Sequence, residues 1–264
     1  MKKKLLMDDY FQNRELVENQ NNLEAILRME SMDFINKNFS QILLPLFDEI
    51  IGELFIFIRT NPIFEEPIKT NNVQLISNLC NLLECLIARE HGFKVEDRND
   101  IKKKFINHVF AFSLIWSISS SISEQGHFRI DDFVRKKFTN IIFPNTDNAY
   151  GFYIDFTSAD FTFKPWHEIT PPFIFDKDVP FYNMLVPTID TTRYSYILEK
   201  MLCNEKRVFI TGGTGVGKSV MIRTLLERIQ EPKLIDPIYL IFSSATDSQV
   251  KQTLLYSLLF FNFC

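Results

Sequence analysis

Cysteine is scarce in this 264-residue chain and is spaced badly for metal. Of Cys80, Cys85, Cys203 and Cys264, no two form a Cys-x-x-Cys pair, and the four histidines do not gather beside them. A zinc site is therefore not expected, and the thiols read as reduced and buried, as in a cytosolic protein. Basic excess is also lacking. The net charge is −4, and the run Lys2-Lys3-Lys4 is too short to make a face for nucleic acid. No apolar run is long enough to cross a bilayer. The longest, Leu254 to Phe263, falls well short of the roughly 20 residues a spanning helix needs. The start "MKKKLLMDDYFQNRE" is basic but has no apolar core of the kind a secretory leader carries. These absences lead to the expectation of a soluble, intracellular protein that binds neither nucleic acid nor membrane.

What is present suffices for packed cores. Hydrophobic residues make up 46% and charged residues 23%, an ordinary globular balance. The length allows one large or two modest domains. The abundance of Phe, 27 residues, reads as a compositional bias of the source genome and carries no function.

The first half has helical periodicity. Leu75, Leu79, Leu82 and Leu86 step by three or four between Asn72 and Arg89, which predicts one apolar helix face. Asn71 or Asn72 can cap its start, and Gly92 lies past its end. A second helix begins near Asp100, with Ile101, Phe105, Val109, Phe112 and Trp116 on one face, and the serine run with Gly126 closes it. "IDDFVRKKF" is a shorter helix with Asp131 early and Arg135, Lys136 and Lys137 late, an order that suits the helix dipole. "FSQILLPLFDEIIGELFIFIR" reads as buried helix, kinked or divided at Pro45. Before residue 30 the pattern is weaker and fits a frayed helix or a tail.

After Pro144 the texture changes. "GFYIDFTSADFTFKPW" alternates about a turn Ser158-Ala159-Asp160 and predicts a β-hairpin. A proline-rich connector follows and sets a domain boundary near residue 170. Beyond Thr188 the reading is α/β. It runs from a helix bearing Tyr194, Ile197, Leu198 and Met201, through a buried-type strand Arg207–Thr211, a Gly-rich loop and a helix, to a second strand Ile238–Phe242.

The loop carries the chemistry. "GGTGVGKS" spans Gly212, Gly213, Thr214, Gly215, Val216, Gly217, Lys218 and Ser219, and it matches the phosphate-binding pattern G-x-x-x-x-G-K-[ST]. Glycine permits backbone angles that aim successive N–H groups at phosphate oxygens. Lys218 would neutralise the β and γ phosphates, Ser219 would bind Mg2+, and the following helix presents its positive end. The expected ligands are ATP and Mg2+. Hydrolysis also needs an acid at the end of a neighbouring apolar strand. Among the 45 residues after Ser219 the acids are Glu227, Glu231, Asp236 and Asp247, and none ends such a strand. The chain is thus expected to cradle phosphate without completing the reaction.

"DVPFYNMLVPTIDTTRYSYILEKML", then "RVFITGGTGVGKSVMI" and "IYLIFSSATDSQ", resemble the dynein heavy chain at the entry to its third AAA+ module, with the axonemal branch nearest. "GFYIDFTSADFTFKPWHEITPPFIFD" is similar to the segment joining the second and third modules, and the helical stretches before it are similar to the end of the second. The resemblance runs from about residue 32 to about 253 and is most specific from 150 to 250. It implies a helical, lid-like region over 1–143, a hairpin and connector over 144–184, and an incomplete P-loop AAA+ α/β domain over 185–264. It also implies an ATP-driven, minus-end-directed microtubule motor subunit whose third module binds nucleotide to regulate the motor. Other modules, intermediate and light chains, and microtubules would be its partners. The cytoskeleton of the cytoplasm and the ciliary axoneme would be its place. Val186, Pro187 and Thr188 match the family's adenine-packing loop, and a plain linker remains the alternative. Arg193, Tyr194 and Tyr196 are read as packing or solvent-facing residues, Trp116 and Trp166 as core, and His167 as a turn residue. The tail 254–264 departs from the family pattern and suggests a truncated reading frame. A stand-alone nucleotide-binding module without motor activity is the other reading.

Overall fold

The computed structural model describes residues 33–87, 99–158, 160–175, 177, 184–233 and 237–240. Two compact units divide the chain between Ile222 and Arg223.

The first unit opens with α1 (Asp33–Leu46), which passes through a π-helical turn, Phe47–Ile51, into α2 (Gly52–Thr60). Pro45 has no N–H to give the carbonyl four residues back, and the wider turn begins two residues later. The expected kink is thus a change of pitch within a continuous helical path. It leaves Leu43, Phe47, Ile50, Ile51, Leu54 and Ile58 all buried.

Helix α3 (Asn72–Ile87) forms where the leucine spacing predicts it. The Asn71 side chain caps it by accepting from the Gln74 N–H at 2.7 Å. Gly92, expected past its end, lies outside the described residues. Helix α4 (Asn99–Ser117) is more deeply set than its predicted single face. Every residue from Phe105 to Ser117 is buried, with α1, α3 and the hairpin strand β1 (Phe152–Ile154) packed on it. Two of its polar residues close on the helix itself: His108 Nδ1 meets the Lys104 carbonyl at 2.7 Å, and the Ser117 hydroxyl donates to the Ser113 carbonyl at 2.5 Å. Burial pushes the His108 pKa down, which keeps the ring neutral against Phe163.

The serine run does end α4. Ser120 and Ser121 hydroxyls donate to the carbonyls of Trp116 and Ile118 at 2.8 and 2.7 Å, drawing Ser119–Ser121 into a 3-10 turn. Gly126 does not belong to that ending. It lies in the first turn of α5 (Glu124–Lys137), which starts six residues ahead of the predicted "IDDFVRKKF". A Cβ there would stand 2.7 Å from Ile122 and 2.8 Å from Phe64, so glycine answers close packing. Arg135, paired with Asp131 at 2.9 Å, donates to the carbonyls of Pro144 and Asp147 at 3.3 and 2.8 Å. That ties the chain leading into the hairpin.

In the hairpin β1 pairs antiparallel with β2 (Phe163–Pro165), Phe152 opposite Pro165. The connection is not the tight turn Ser158-Ala159-Asp160 but the longer loop 155–162, of which Ala159 is not described. Asp155 accepts from the Thr157 N–H and hydroxyl at 2.9 and 2.6 Å, starting the bend early. Phe161, at φ 50, turns its ring onto Phe105. Trp166 is fully buried and donates from Nε1 to the Tyr150 carbonyl at 2.9 Å. Trp116 is buried beside it, and His167 is exposed in the turn that follows.

A connector leads to α6 (Ile189–Cys203), which packs on α3 and on the Trp166 turn. Leu198 is its buried residue. Tyr194, expected on the same apolar face, is 48% exposed, because its ring lies along the rim of Trp116. The expected strand Arg207–Thr211 has no regular secondary structure and pairs with nothing among the described residues, and Phe209 is 83% exposed. A strand is defined by its ladder, and the partner Ile238–Phe242 is described only to Leu240, where it too is unpaired. Among the described residues the hairpin is the sole sheet.

Helix α7 (Lys218–Lys233) follows the Gly-rich loop. The second unit, described by itself, contains its later turns, with Leu225 and Ile229 buried, and the extended residues 237–240, where Arg223 lies over the Tyr239 ring at 5.5 Å. Cys80, Cys85 and Cys203 are free, and burial pushes the first two thiols up to about 12. Cys264 lies outside the described residues. No helix among those described is long and apolar enough to cross a membrane.

Two outcomes test this frame. Trp166→Phe leaves the Tyr150 carbonyl buried without its donor, and the urea midpoint is expected to fall by the equivalent of about 1–3 kcal/mol. Lys164 and Thr157 bonded to Asp155 hold its carboxyl at about 2, below the ordinary 3.8. Its ionised form therefore stabilises the fold above pH 3.8 and loses that effect as pH falls towards 2. In Asp155→Asn the acid-side slope of the urea midpoint across that interval should flatten.

Candidate functional site: the Gly212–Ser219 loop

The loop is open. Residues 212–217 are exposed, with Val216 at 67%. Gly215 and Gly217 stand at φ 80 and 82, left-handed angles that a Cβ would strain. Nothing lies within 4 Å of a Cβ at either position, so backbone angle alone asks for glycine there. Among the described residues no group accepts from the amides of Gly213 to Gly217. The chain then turns into α7, whose first residues are Lys218 and Ser219, and the Gly217 carbonyl receives the Met221 N–H at 3.0 Å.

Lys218 folds back into this curl. Its ammonium donates to the Gly212 carbonyl at 3.0 Å and to the Gly213 carbonyl. The Ser219 hydroxyl is exposed on the first helical turn. Amides without acceptors, a cation folded onto the loop carbonyls and a helix N-terminus together suit a polyphosphate. No cluster of three or more His, Cys, Asp or Glu among the described residues could hold a metal.

The other candidate residues lie upstream. Leu185 to Thr188 is extended, with Val186 54% exposed and Pro187 partly buried. Thr188 has a local task that its spacing to Thr191 accounts for. Its hydroxyl accepts from the Thr191 N–H at 3.1 Å, while the Thr191 hydroxyl accepts from the Thr188 N–H at 2.8 Å. This capping box starts α6.

Helix α6 carries the chain from Thr188 towards the loop and is fixed at both ends. At its start Arg193 pairs with Asp190 at 2.7 Å and lies over Trp116 at 5.7 Å. After its end Lys206 pairs with Glu84 of α3 at 2.5 Å, both partly buried. Sequence reading placed no weight on either anchor. The i,i+3 spacing of Asp190 and Arg193 could have flagged the first. Lys206 and Glu84, 122 residues apart, left no local signal.

Comparison with known proteins accords with these features. Residues 43–168 match the family model of the dynein heavy chain AAA lid domain, and residues 173–260 match that of the P-loop containing dynein motor region. The chain is 33% identical over 226 residues to human dynein axonemal heavy chain 6, which covers 84% of the chain and 5% of that relative. It is 28% identical over 190 residues to human dynein axonemal heavy chain 2, covering 70% and 4%. Against the ciliary dynein beta chain of Heliocidaris crassispina it is 28% identical over 214 residues, covering 80% and 4%. The chain thus spans about one-twentieth of the length of these relatives.

Removing the cap gives a direct test of the role of Thr188. Thr188→Ala should lower thermal stability by about 1 kcal/mol, and Thr188→Ser should lose much less. Both are read from the unfolding midpoint of the whole chain.

Proposed function

The chain belongs to the dynein heavy chain family, and on that footing we propose that its Gly212–Ser219 loop binds MgATP at a regulatory site of the motor. The observation that carries this reading is the loop itself: glycines at left-handed angles, amides without acceptors among the described residues, and the Lys218 ammonium folded back onto the Gly212 and Gly213 carbonyls. Gly213, Thr214, Gly215, Val216 and Gly217 would give backbone donors to the phosphates. Lys218 would neutralise the β and γ phosphates, and Ser219 would hold Mg2+. Val186, Pro187 and Thr188 would pack on adenine, Thr188 through its methyl group because its hydroxyl is engaged in the cap.

Residues 1–143 would be the close of a second AAA+ module and residues 185–264 the start of a third. Of the acids Glu227, Glu231, Asp236 and Asp247, none would serve as the strand-end acid of hydrolysis, so this segment would hold nucleotide without hydrolysing it. In the whole heavy chain it would serve an ATP-driven, minus-end-directed microtubule motor of the ciliary axoneme. Its partners there would be the other modules and the intermediate and light chains.

Calorimetry with MgATP and a phosphate-release assay test the reading on the 264-residue chain. Saturable binding is expected, with no release above buffer, and Lys218→Ala should weaken binding by about tenfold or more, the effect of losing a charge-assisted contact. Phosphate release abolished by Lys218→Ala would refute the claim of binding without turnover. Absence of binding would refute the site.

A further inference from the structure

Arg193 is the most costly side chain on α6. Its guanidinium is packed over the Trp116 ring at 5.7 Å and the Tyr194 ring at 5.3 Å, and it is paired with Asp190. Its Nε is buried with no acceptor, and so is the Trp116 Nε1 that faces the same neighbourhood. A buried donor left unpaired is destabilising, and an apolar side chain of similar length would avoid the cost. Packing alone does not explain an arginine here.

The surface that receives Arg193 is a packed aromatic group. Trp116 is 8% exposed and meets the rings of Tyr150 and Trp166 edge-on at 5.9 and 6.0 Å. Trp166 is bonded to Tyr150, and Tyr150 is stacked on His127 at 3.9 Å. Asp190 pairs with Arg193 and the Tyr194 ring lies under it; His127 feels the charge of Arg193 and that of Glu124, and burial depresses the His127 pKa so that it adds no competing charge. Five residues before Arg193 lies Thr188, the cap and the last residue of the Val186–Thr188 strip. At the other end of the helix, Lys206 on Glu84 fixes the chain that enters the loop. The strip and the loop are thus connected by one helix, clamped at both ends to the same helical frame.

We infer that Arg193 is a positioning residue for the adenine strip. By clamping the first turn of α6 to Trp116 it sets where Val186–Thr188 stand relative to the phosphate loop, and so determines the part of affinity that depends on the base. It touches no phosphate. The inference rests on the proposed nucleotide site and adds to it a residue that decides selectivity for a base-bearing ligand over bare polyphosphate.

The test uses the 264-residue chain, Arg193→Met and Arg193→Lys, each titrated calorimetrically with MgATP and with magnesium tripolyphosphate. Urea midpoints report folding. In R193M, MgATP binding should weaken by about fivefold, the scale of a lost cation–π clamp, while tripolyphosphate binding should change by less than about twofold. R193K, which keeps the charge for Asp190 and the rings, should recover part of the loss, and it carries the test should R193M fail to fold. A wild-type chain that binds MgATP no better than tripolyphosphate would overturn the inference. Equal weakening of both ligands by the variants, or of neither, would also overturn it and leave the phosphate site standing. Wild-type chain that binds neither ligand would overturn the nucleotide reading, and this inference with it.

Discussion

From Phe105 to Ser117, α4 is covered on all its faces, and that constraint determines where its neighbours lie. A helix buried all round cannot turn a polar side to water, so every flank needs another element. Helices α1 and α3 supply two flanks and the hairpin a third. The aromatic group around Trp116 and Trp166 closes the far end and there receives α6. Remove one flank and the interior polar groups of α4 gain water in place of their intrahelical bonds. The arrangement is therefore cooperative.

The Gly212–Ser219 loop inherits its place from this frame. Among the described residues no buried apolar side chain of the loop fixes it directly. Phe209, just before it, is 83% exposed, and Val208 is 40% exposed. What holds it is the chain of attachments from α4 through Trp116 and Arg193 to α6, and from α3 through Glu84 and Lys206. The lid-domain match and the P-loop-region match meet between residues 168 and 173, yet α6 packs directly on α3 of the lid portion. The two family portions are joined by side chains as well as by the connector.

Much of this was legible in the sequence, and for identifiable reasons. The leucine steps of α3 and its Asn71 cap are local signals, as are the glycines and lysine of the loop. Trp116 and Trp166 were correctly read as core from their size. The misreadings arose where the deciding contact is distant in sequence. Gly126 resembles a helix stop until Phe64 is placed against it. The hairpin loop is lengthened by Phe161 reaching Phe105, 56 residues away in sequence. The π-helical turn after Pro45 preserves a burial pattern that simple 3.6-residue periodicity does not generate. The two strands read at Arg207–Thr211 and Ile238–Phe242 have no ladder among the described residues, the second being described only to Leu240; pairing depends on a partner that local sequence does not supply.

Lys218 already has ligands. With its ammonium on the Gly212 and Gly213 carbonyls, it bridges the two ends of the loop and fixes its curl. If the loop takes a phosphate as proposed, that phosphate would exchange with those carbonyls. The lysine would then be an internal competitor, and the affinity of such a site would be the difference between two occupied states of one cation. A change that weakens the carbonyl contacts would strengthen phosphate capture and loosen the curl at the same time, so the two properties would not be tuned independently.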